Sequence, residues 1–514
     1  MAADMNAQHR AISLGELAAA VPGADLIGDA AIPITGIAFD SRLVRPGELF
    51  VALRGLERDG AVFVPDALAR GAAAIAVERR ESLPAGCSGL VVPYARLALG
   101  LLSACFEGWP ARRLRVIGVT GTDGKTTTAS LIASILRAAG RRVGAVTTVH
   151  ADIGGECRET GLHTTTPDAP ELQRYLRLMV EGGVQDVVLE VTSHALVQER
   201  IAGCDVDLAV ITNVTGDHLD LHGTFEAYLA AKLRLFEGLT TAVRKPGIPK
   251  AAVYNLDDCS ARPIAAIPVD RRLSYALERE ADVRACAVRF SDAGSRFEAQ
   301  TPVGRFAVSV PLPGWYNVAN ALAAISAALL LDVPIEAIQA GIASFAGVPG
   351  RMERVDRGQD FEVFIDFAHT PHSLEQVLTL QRERGRRGLA VVFGCAGLRD
   401  RSKRRVMGAI AGRLADRIYL TAEDPRTESL EEILEAIAEG CREAGRREGI
   451  DFWKIPDRRA AIRRAVEDAG PGDIILVTGK GHERSMCFGE TEVPWSDREV
   501  VEEALDLRLG RRRE

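Results

Sequence analysis

The run Gly118-Val-Thr-Gly121-Thr-Asp-Gly124-Lys125-Thr126-Thr127-Thr128 lies between an apolar stretch and a helical pattern, and its residue types suit a phosphate. Glycine lets the backbone approach an anion, and successive N–H groups at a helix N-terminus cradle it. Lys125 adds a point charge and Thr126 can coordinate Mg²⁺. The strict G-x-x-x-x-G-K-[ST] pattern fails because Val119 occupies its first glycine position. Gly121, Thr122, Asp123, Gly124, Lys125, Thr126 and Thr127 are therefore the candidate nucleotide-binding residues.

Other polar residues fall where a parallel sheet binds ligands, beyond the carboxyl ends of strands. Glu190 ends one apolar run and Thr212-Asn213 ends another, followed by Asp217-His218. Thr126, Glu190 and His218 form a candidate metal set, since Mg²⁺ takes oxygen ligands and a second ion tolerates a histidine. Lys232 falls on the apolar stripe of Phe225, Leu229 and Phe236. Two readings follow. Burial favours the neutral amine, which could take up CO₂ as a metal-binding carbamate. Alternatively, the stem packs while the ammonium snorkels to water.

Further strand ends carry Asp366-Phe-Ala-His369, the run Gly394 to Arg404, Glu423-Asp424-Pro425-Arg426 and Gly479-Lys480-Gly481-His482-Glu483. An arginine fork matches a carboxylate and an acid matches an ammonium, so these loops could hold a zwitterion.

Three blocks must position these groups. Residues 1–110 read as a small α/β domain, with strands at Ile34 to Phe39, Leu49 to Leu53 and Ala73 to Val77. Residues 111–347 alternate strands (114–120, 142–148, 186–191, 207–212) with helices, which implies a mostly parallel sheet, and 280–312 reads as an antiparallel insert. Residues 348–514 repeat the alternation, with strands at 361–366, 389–394, 416–420 and 474–478, as a Rossmann-like doubly wound domain. The chain has 514 residues, 47% of them hydrophobic, enough for about three domains. A net charge of −7 offers no general attraction to nucleic acid. Nine cysteines without a C-x-x-C speak against a disulfide framework or zinc site. With no apolar run long enough to span a membrane and no signal-peptide order at the N-terminus, a cytoplasmic protein is expected.

These motifs together resemble the Mur ligases of bacterial peptidoglycan synthesis, most closely the MurE type, which adds the third residue to UDP-N-acetylmuramoyl-L-alanyl-D-glutamate. Asp40-Ser41-Arg42 with Pro46-Gly47 looks like the family's uridine-binding domain, and Gly118 to Thr128 like its ATP loop, with Asp123 where asparagine is usual. The resemblance implies a UDP-substrate role for Ser41, Thr165, Thr166, Ser193, Gln198, Arg200 and Lys232. It implies catalytic roles for Lys125, Glu190, His218 and a carbamylated Lys232, and ATP contacts from Asn317, Arg351 and Asp366. Arg399, Asp424, Pro425, Arg426, Gly479 and Glu483 would bind the amino acid.

One departure concerns specificity. Asp424 stands where diaminopimelate-adding members usually have asparagine, and its charge could instead select the side-chain ammonium of lysine or ornithine. Meso-diaminopimelate is kept first. The implied reaction is ATP-dependent amide ligation through an acyl phosphate, with Mg²⁺ as cofactor. A folylpolyglutamate synthase-like ligase and a non-catalytic nucleotide-binding scaffold are the rival readings.

Overall fold

A computed structural model describes residues 11–55, 58–158, 165–215, 222–291, 293–385 and 387–511. His218, with its neighbours at 216–221, lies outside the described residues. The chain is α/β, with one main sheet in each of the three blocks read from the sequence.

In the N-terminal block five short strands are ordered Asp25–Ile27, Gly89–Val91, Ala74–Val77, Leu49–Val51 and Ile37–Ala38, parallel except at the Asp25–Ile27 edge. The strand expected over Ile34 to Phe39 is two strands in different sheets. Pro33–Ile34 pairs with Ile12–Ser13, and Ile37–Ala38 pairs with Leu49–Val51. The break falls at Thr35-Gly36, where a Cβ on Gly36 would stand 2.7 Å from Glu48 Oε1.

The central sheet has eleven strands. Its parallel middle runs Val143–Val146, Asp186–Glu190, Arg115–Thr120, Leu208–Ile211, Ala251–Asn255, Arg271–Ala276 and Val283–Ser291. The antiparallel segment expected at 280–312 extends this sheet's edge through Gly294–Thr301 and Gly304–Val310. Arg115–Thr120 is followed in space by strands on both sides, so the crevice beyond its carboxyl end is a topological switch point. Helix Lys125–Ala138 leaves that crevice and buries Leu131, Ile132, Ile135 and Leu136 against one face of the sheet, each worth about 1.5–3 kcal/mol. At the opposite end of the strands, the buried Asp207 carboxylate ties the chain together. It accepts from Lys245 Nζ at 2.5 Å, Lys250 Nζ at 3.0 Å and Val116 N at 2.8 Å.

The C-terminal sheet is ordered Glu353–Val355, Glu362–Asp366, Ile474–Thr478, Leu389–Phe393, Arg417–Leu420 and Phe452–Lys454, parallel except for its first strand. Both faces are covered by apolar clusters. All nine cysteines are free thiols, and among the described residues no helix is long and apolar enough to cross a membrane.

Candidate functional site

The phosphate loop is shaped by glycines at two positions where nothing else fits. Gly121 has φ 148° and a Cβ there would stand 1.8 Å from Thr212 Oγ1, while Gly124 has φ 81° and a Cβ would meet Asn320 Oδ1 at 2.2 Å. Asn213 clasps the loop between them, accepting from Asp123 N at 3.0 Å and donating to Asp123 O at 3.1 Å. Helix Lys125–Ala138 starts from Gly124 with no side-chain cap, which leaves its first N–H groups suited to an anion. Lys125 Nζ donates back to Thr122 O at 2.8 Å.

Thr126 and Glu190 meet as the sequence expected. The threonine hydroxyl donates to Glu190 Oε1 at 3.0 Å, and Thr148 N donates to Oε2 at 2.9 Å. Thr148 had no motif to announce it, since it acts through its backbone. A hydroxyl and a buried carboxylate side by side are the hard oxygen donors Mg²⁺ takes, and that ion needs only one or two protein ligands beside phosphates and water. Lys232 is 1% exposed, so the snorkelling reading is overturned: its ammonium stays inside, donating to Gly121 O at 2.5 Å and lying 4.4 Å from the centre of the Tyr228 ring.

Thr166, Gln198 and Arg200 form one hydrogen-bonded chain leading to Glu190. Arg200 donates to Gln198 Oε1 at 3.0 Å and to Thr166 O at 2.7 Å, and Thr166 Oγ1 donates to Glu190 O at 2.9 Å. Ser193 opens the helix after Glu190 and meets His222 Nε2 at 3.1 Å. Ser41 stands apart in the N-terminal block, buried in the short helical turn that Asp40 caps, and Arg42 is spent on Asp40 at 2.7 Å.

The C-terminal sheet closes over the loop. Arg351 Nη2 donates to Thr126 Oγ1 at 3.3 Å, and its guanidinium stacks on Phe367, 4.5 Å from the ring centre. Asp366 accepts from Met352 N and Ala368 N, both at 2.7 Å, and burial pushes its carboxyl up despite the nearby Arg351. Two cavities meet at this junction. The first is lined by Asp123, Gly124, Thr127, Asn317, Arg351 and Asp366. The second brings Lys125, Thr126 and Glu190 together with Arg399, Arg426 and Glu483. Thr165 and Asp424 also line the second cavity, whereas Ser41, Thr166, Ser193, Gln198, Arg200 and Lys232 line neither.

Among the strand-end basic groups, Lys403 lines the second cavity and donates to His369 O at 2.8 Å. Arg404 is instead consumed by a two-nitrogen pair with Glu428 at 2.7 and 2.9 Å. Arg426 adopts φ 53°, its backbone fixed by Cys487 O and Gly489 N. Pro425 O faces Gly397, where a Cβ would stand 2.0 Å away. Gly479, with φ 106°, packs beside Glu423. Asp424 is buried and accepts from Lys480 Nζ at 2.9 Å and Cys487 N at 3.0 Å, and Lys480 also pairs with Glu483. Neither Lys480's pairing nor the burial of Glu423 could be read from a strand-end motif.

Three family models match the chain: "Mur ligase family, catalytic domain" at residues 33–104, "Mur ligase middle domain" at 119–328 and "Mur ligase, glutamate ligase domain" at 350–481. The UDP-N-acetylmuramyl-tripeptide synthetase of Roseiflexus sp. (strain RS-1) is 46% identical over 484 residues, spanning 92% of this chain and 94% of that protein. The UDP-N-acetylmuramoyl-L-alanyl-D-glutamate–2,6-diaminopimelate ligase of Bacillus licheniformis is 41% identical over 472 residues, again 92% of this chain and 94% of that protein. A solved structure of a ligase with the latter name matches with a TM-score of 0.65 at 33% identity, covering 97% of this chain and 100% of that one.

Proposed function

The chain belongs to the Mur ligase family of ATP-dependent amide ligases, and from that premise we propose that it adds the third amino acid to UDP-N-acetylmuramoyl-L-alanyl-D-glutamate in peptidoglycan synthesis. Meso-diaminopimelate is the first candidate, with L-lysine and L-ornithine as alternatives. The observation that carries this reading is the second cavity, in which the phosphate-loop residues Lys125 and Thr126 face Arg399, Arg426 and Glu483. A group activated by phosphoryl transfer and an incoming amino acid would meet there.

A free carboxylate is a poor acyl donor. Its attack on the γ-phosphorus of ATP gives an acyl phosphate and ADP, after which the amine displaces phosphate to form the amide. Lys125 and the N–H groups of the loop would neutralise charge on the transferred group. Thr126 and Glu190 would hold Mg²⁺, with His218 and a carbamylated Lys232 as further ligand candidates, and the ion would draw charge from the phosphates. Asn317, Arg351 and Asp366 would complete the nucleotide site. Ser41, Thr165, Thr166, Ser193, Gln198 and Arg200 would hold the UDP-linked substrate, and Arg399, Asp424, Pro425, Arg426, Gly479 and Glu483 the amino acid. Holding both reactants in one cavity would contribute to catalysis through orientation.

The test is phosphate release with ATP, Mg²⁺ and UDP-N-acetylmuramoyl-L-alanyl-D-glutamate, comparing the three diamino acids, with product mass read in parallel. Release with one amino acid and its matching mass gain is expected. Silence with all three would move the folylpolyglutamate-type and scaffold readings forward.

A further inference from the structure

Glu423 follows the strand Arg417–Leu420 and is buried, at 6% exposure, in the wall of the cavity that also contains Lys125 and Thr126. Its acidic neighbours are engaged, since Asp424 and Glu483 both pair with Lys480. Glu423 Oε2, in contrast, is buried without a hydrogen-bond partner. A Cβ on Gly479 would stand 3.1 Å from that oxygen, so glycine there keeps a side chain off it. A buried carboxylate oxygen left without a donor is costly unless something arrives to use it.

We propose that Glu423 is the catalytic base that takes a proton from the ammonium of the incoming amino acid. The inference rests on the ligase reading above. An amino acid enters as an ammonium, whose nitrogen has no lone pair to attack with. Glu423 Oε2 takes one proton, and the freed lone pair forms the C–N bond at the acyl phosphate carbonyl. The bond from that carbon to the phosphate oxygen breaks, its electron pair leaves with phosphate, and phosphate takes the second N–H proton. The balance is one ammonium and one acyl phosphate giving one amide, one hydrogen phosphate and one protonated Glu423, which returns its proton to water on product release.

The surroundings suit that task. Burial is the main influence and lifts the carboxyl to about 7, against the pull of Lys403 and Lys480 and with the support of Glu483 and Asp424. Arg458 and the Cys395 thiol also face it. A base titrating near the working pH combines a usable ionised fraction with a real affinity for the proton. Asp424 and Glu483 are instead engaged with the Lys480 ammonium.

Hydroxylamine separates this role from a structural one, because it is neutral at working pH and attacks an acyl phosphate without needing a base. Glu423→Gln is expected to form hydroxamate from UDP-N-acetylmuramoyl-L-alanyl-D-glutamate and ATP at the wild-type rate, while diamino acid ligation falls about 100-fold and loses its acid limb. Glu423→Asp is expected to keep that limb. Ligation by Glu423→Gln at the wild-type rate with an unchanged acid limb would overturn the assignment, as would equal losses of hydroxamate and amide. A wild-type protein that makes neither hydroxamate nor amide would instead sink the ligase reading on which the assignment rests.

Discussion

Lys480 Nζ stands 2.9 Å from Asp424 Oδ1 and pairs with Glu483 as well, so the charge that Asp424 introduces is met from inside the protein. Replacing it with the neutral amide would leave the pocket one charge more positive. Asp424→Asn is therefore expected to shift the ratio of kcat/KM for meso-diaminopimelate over L-lysine upward by about tenfold, roughly 1.4 kcal/mol of discrimination. Competition between the two amino acids measures it, and an unchanged ratio would remove Asp424 from the specificity determinants.

The same ammonium holds the buried Asp424 and the half-buried Glu483. Lys480→Met is expected to cost about 3–5 kcal/mol of stability by leaving them without their cation. Adding Asp424→Asn should return part of that loss in a urea-melt double-mutant cycle, and strict additivity would mean the pair is not coupled.

For Lys232, buried against Gly121 O and the Tyr228 ring, the proposed carbamate has a direct signature. Protein equilibrated with ¹³C-bicarbonate is expected to show a carbamate carbon resonance that Lys232→Arg lacks, with ligation in that variant lower by about 100-fold or more. Full activity without any such resonance would show that the free amine suffices.

Far from the cavities, Asp207 pairs with both Lys245 and Lys250. Asp207→Asn takes away the carboxylate that two buried ammonium groups share, leaving them their backbone carbonyl partners, and about 3–5 kcal/mol should be lost. Thermal melts read the loss directly. Below the variant's own melting range, phosphate release should match wild type, because the cluster lies at the opposite end of the strands.

Glu428 predicts a pH dependence. The two-nitrogen bond from Arg404 holds its carboxyl down to about 2, from an ordinary 4.5. A carboxyl lowered on folding contributes stability that is fully present above about 4.5 and lost as the pH falls towards 2. Glu428→Gln should thus be less stable than wild type at neutral pH and indistinguishable from it once both are acidified below that window. A difference that persists in acid would assign the effect to packing.

What could be read from the sequence was whatever a local pattern encodes. The phosphate loop announced itself because a strand, tight glycines and a helix start are consecutive. Glu190, Asp366 and Arg426 were visible because strand ends in a doubly wound sheet converge. Partnerships across the sheet were not visible. Lys480 finds Asp424 from 56 residues away, and Thr148 supports Glu190 through a backbone N–H that any residue type would supply. The run Ile34 to Phe39 misled because it reads as one strand-forming segment while its pairing is divided at Thr35-Gly36. Pro33–Ile34 pairs in one sheet and Ile37–Ala38 in another, with Gly36 packed against Glu48 between them.

Thr126 owns a single hydroxyl proton, which it gives to Glu190 while Arg351 donates to the same oxygen from the C-terminal block. A cation seated on that oxygen would evict the guanidinium, and the phosphates of an arriving nucleotide would be the natural place for it to go. Nucleotide charging and the seating of the last block on the loop then become linked equilibria that run through one atom. By reciprocity, the factor by which nucleotide shifts that seating is the factor by which the seating shifts nucleotide affinity.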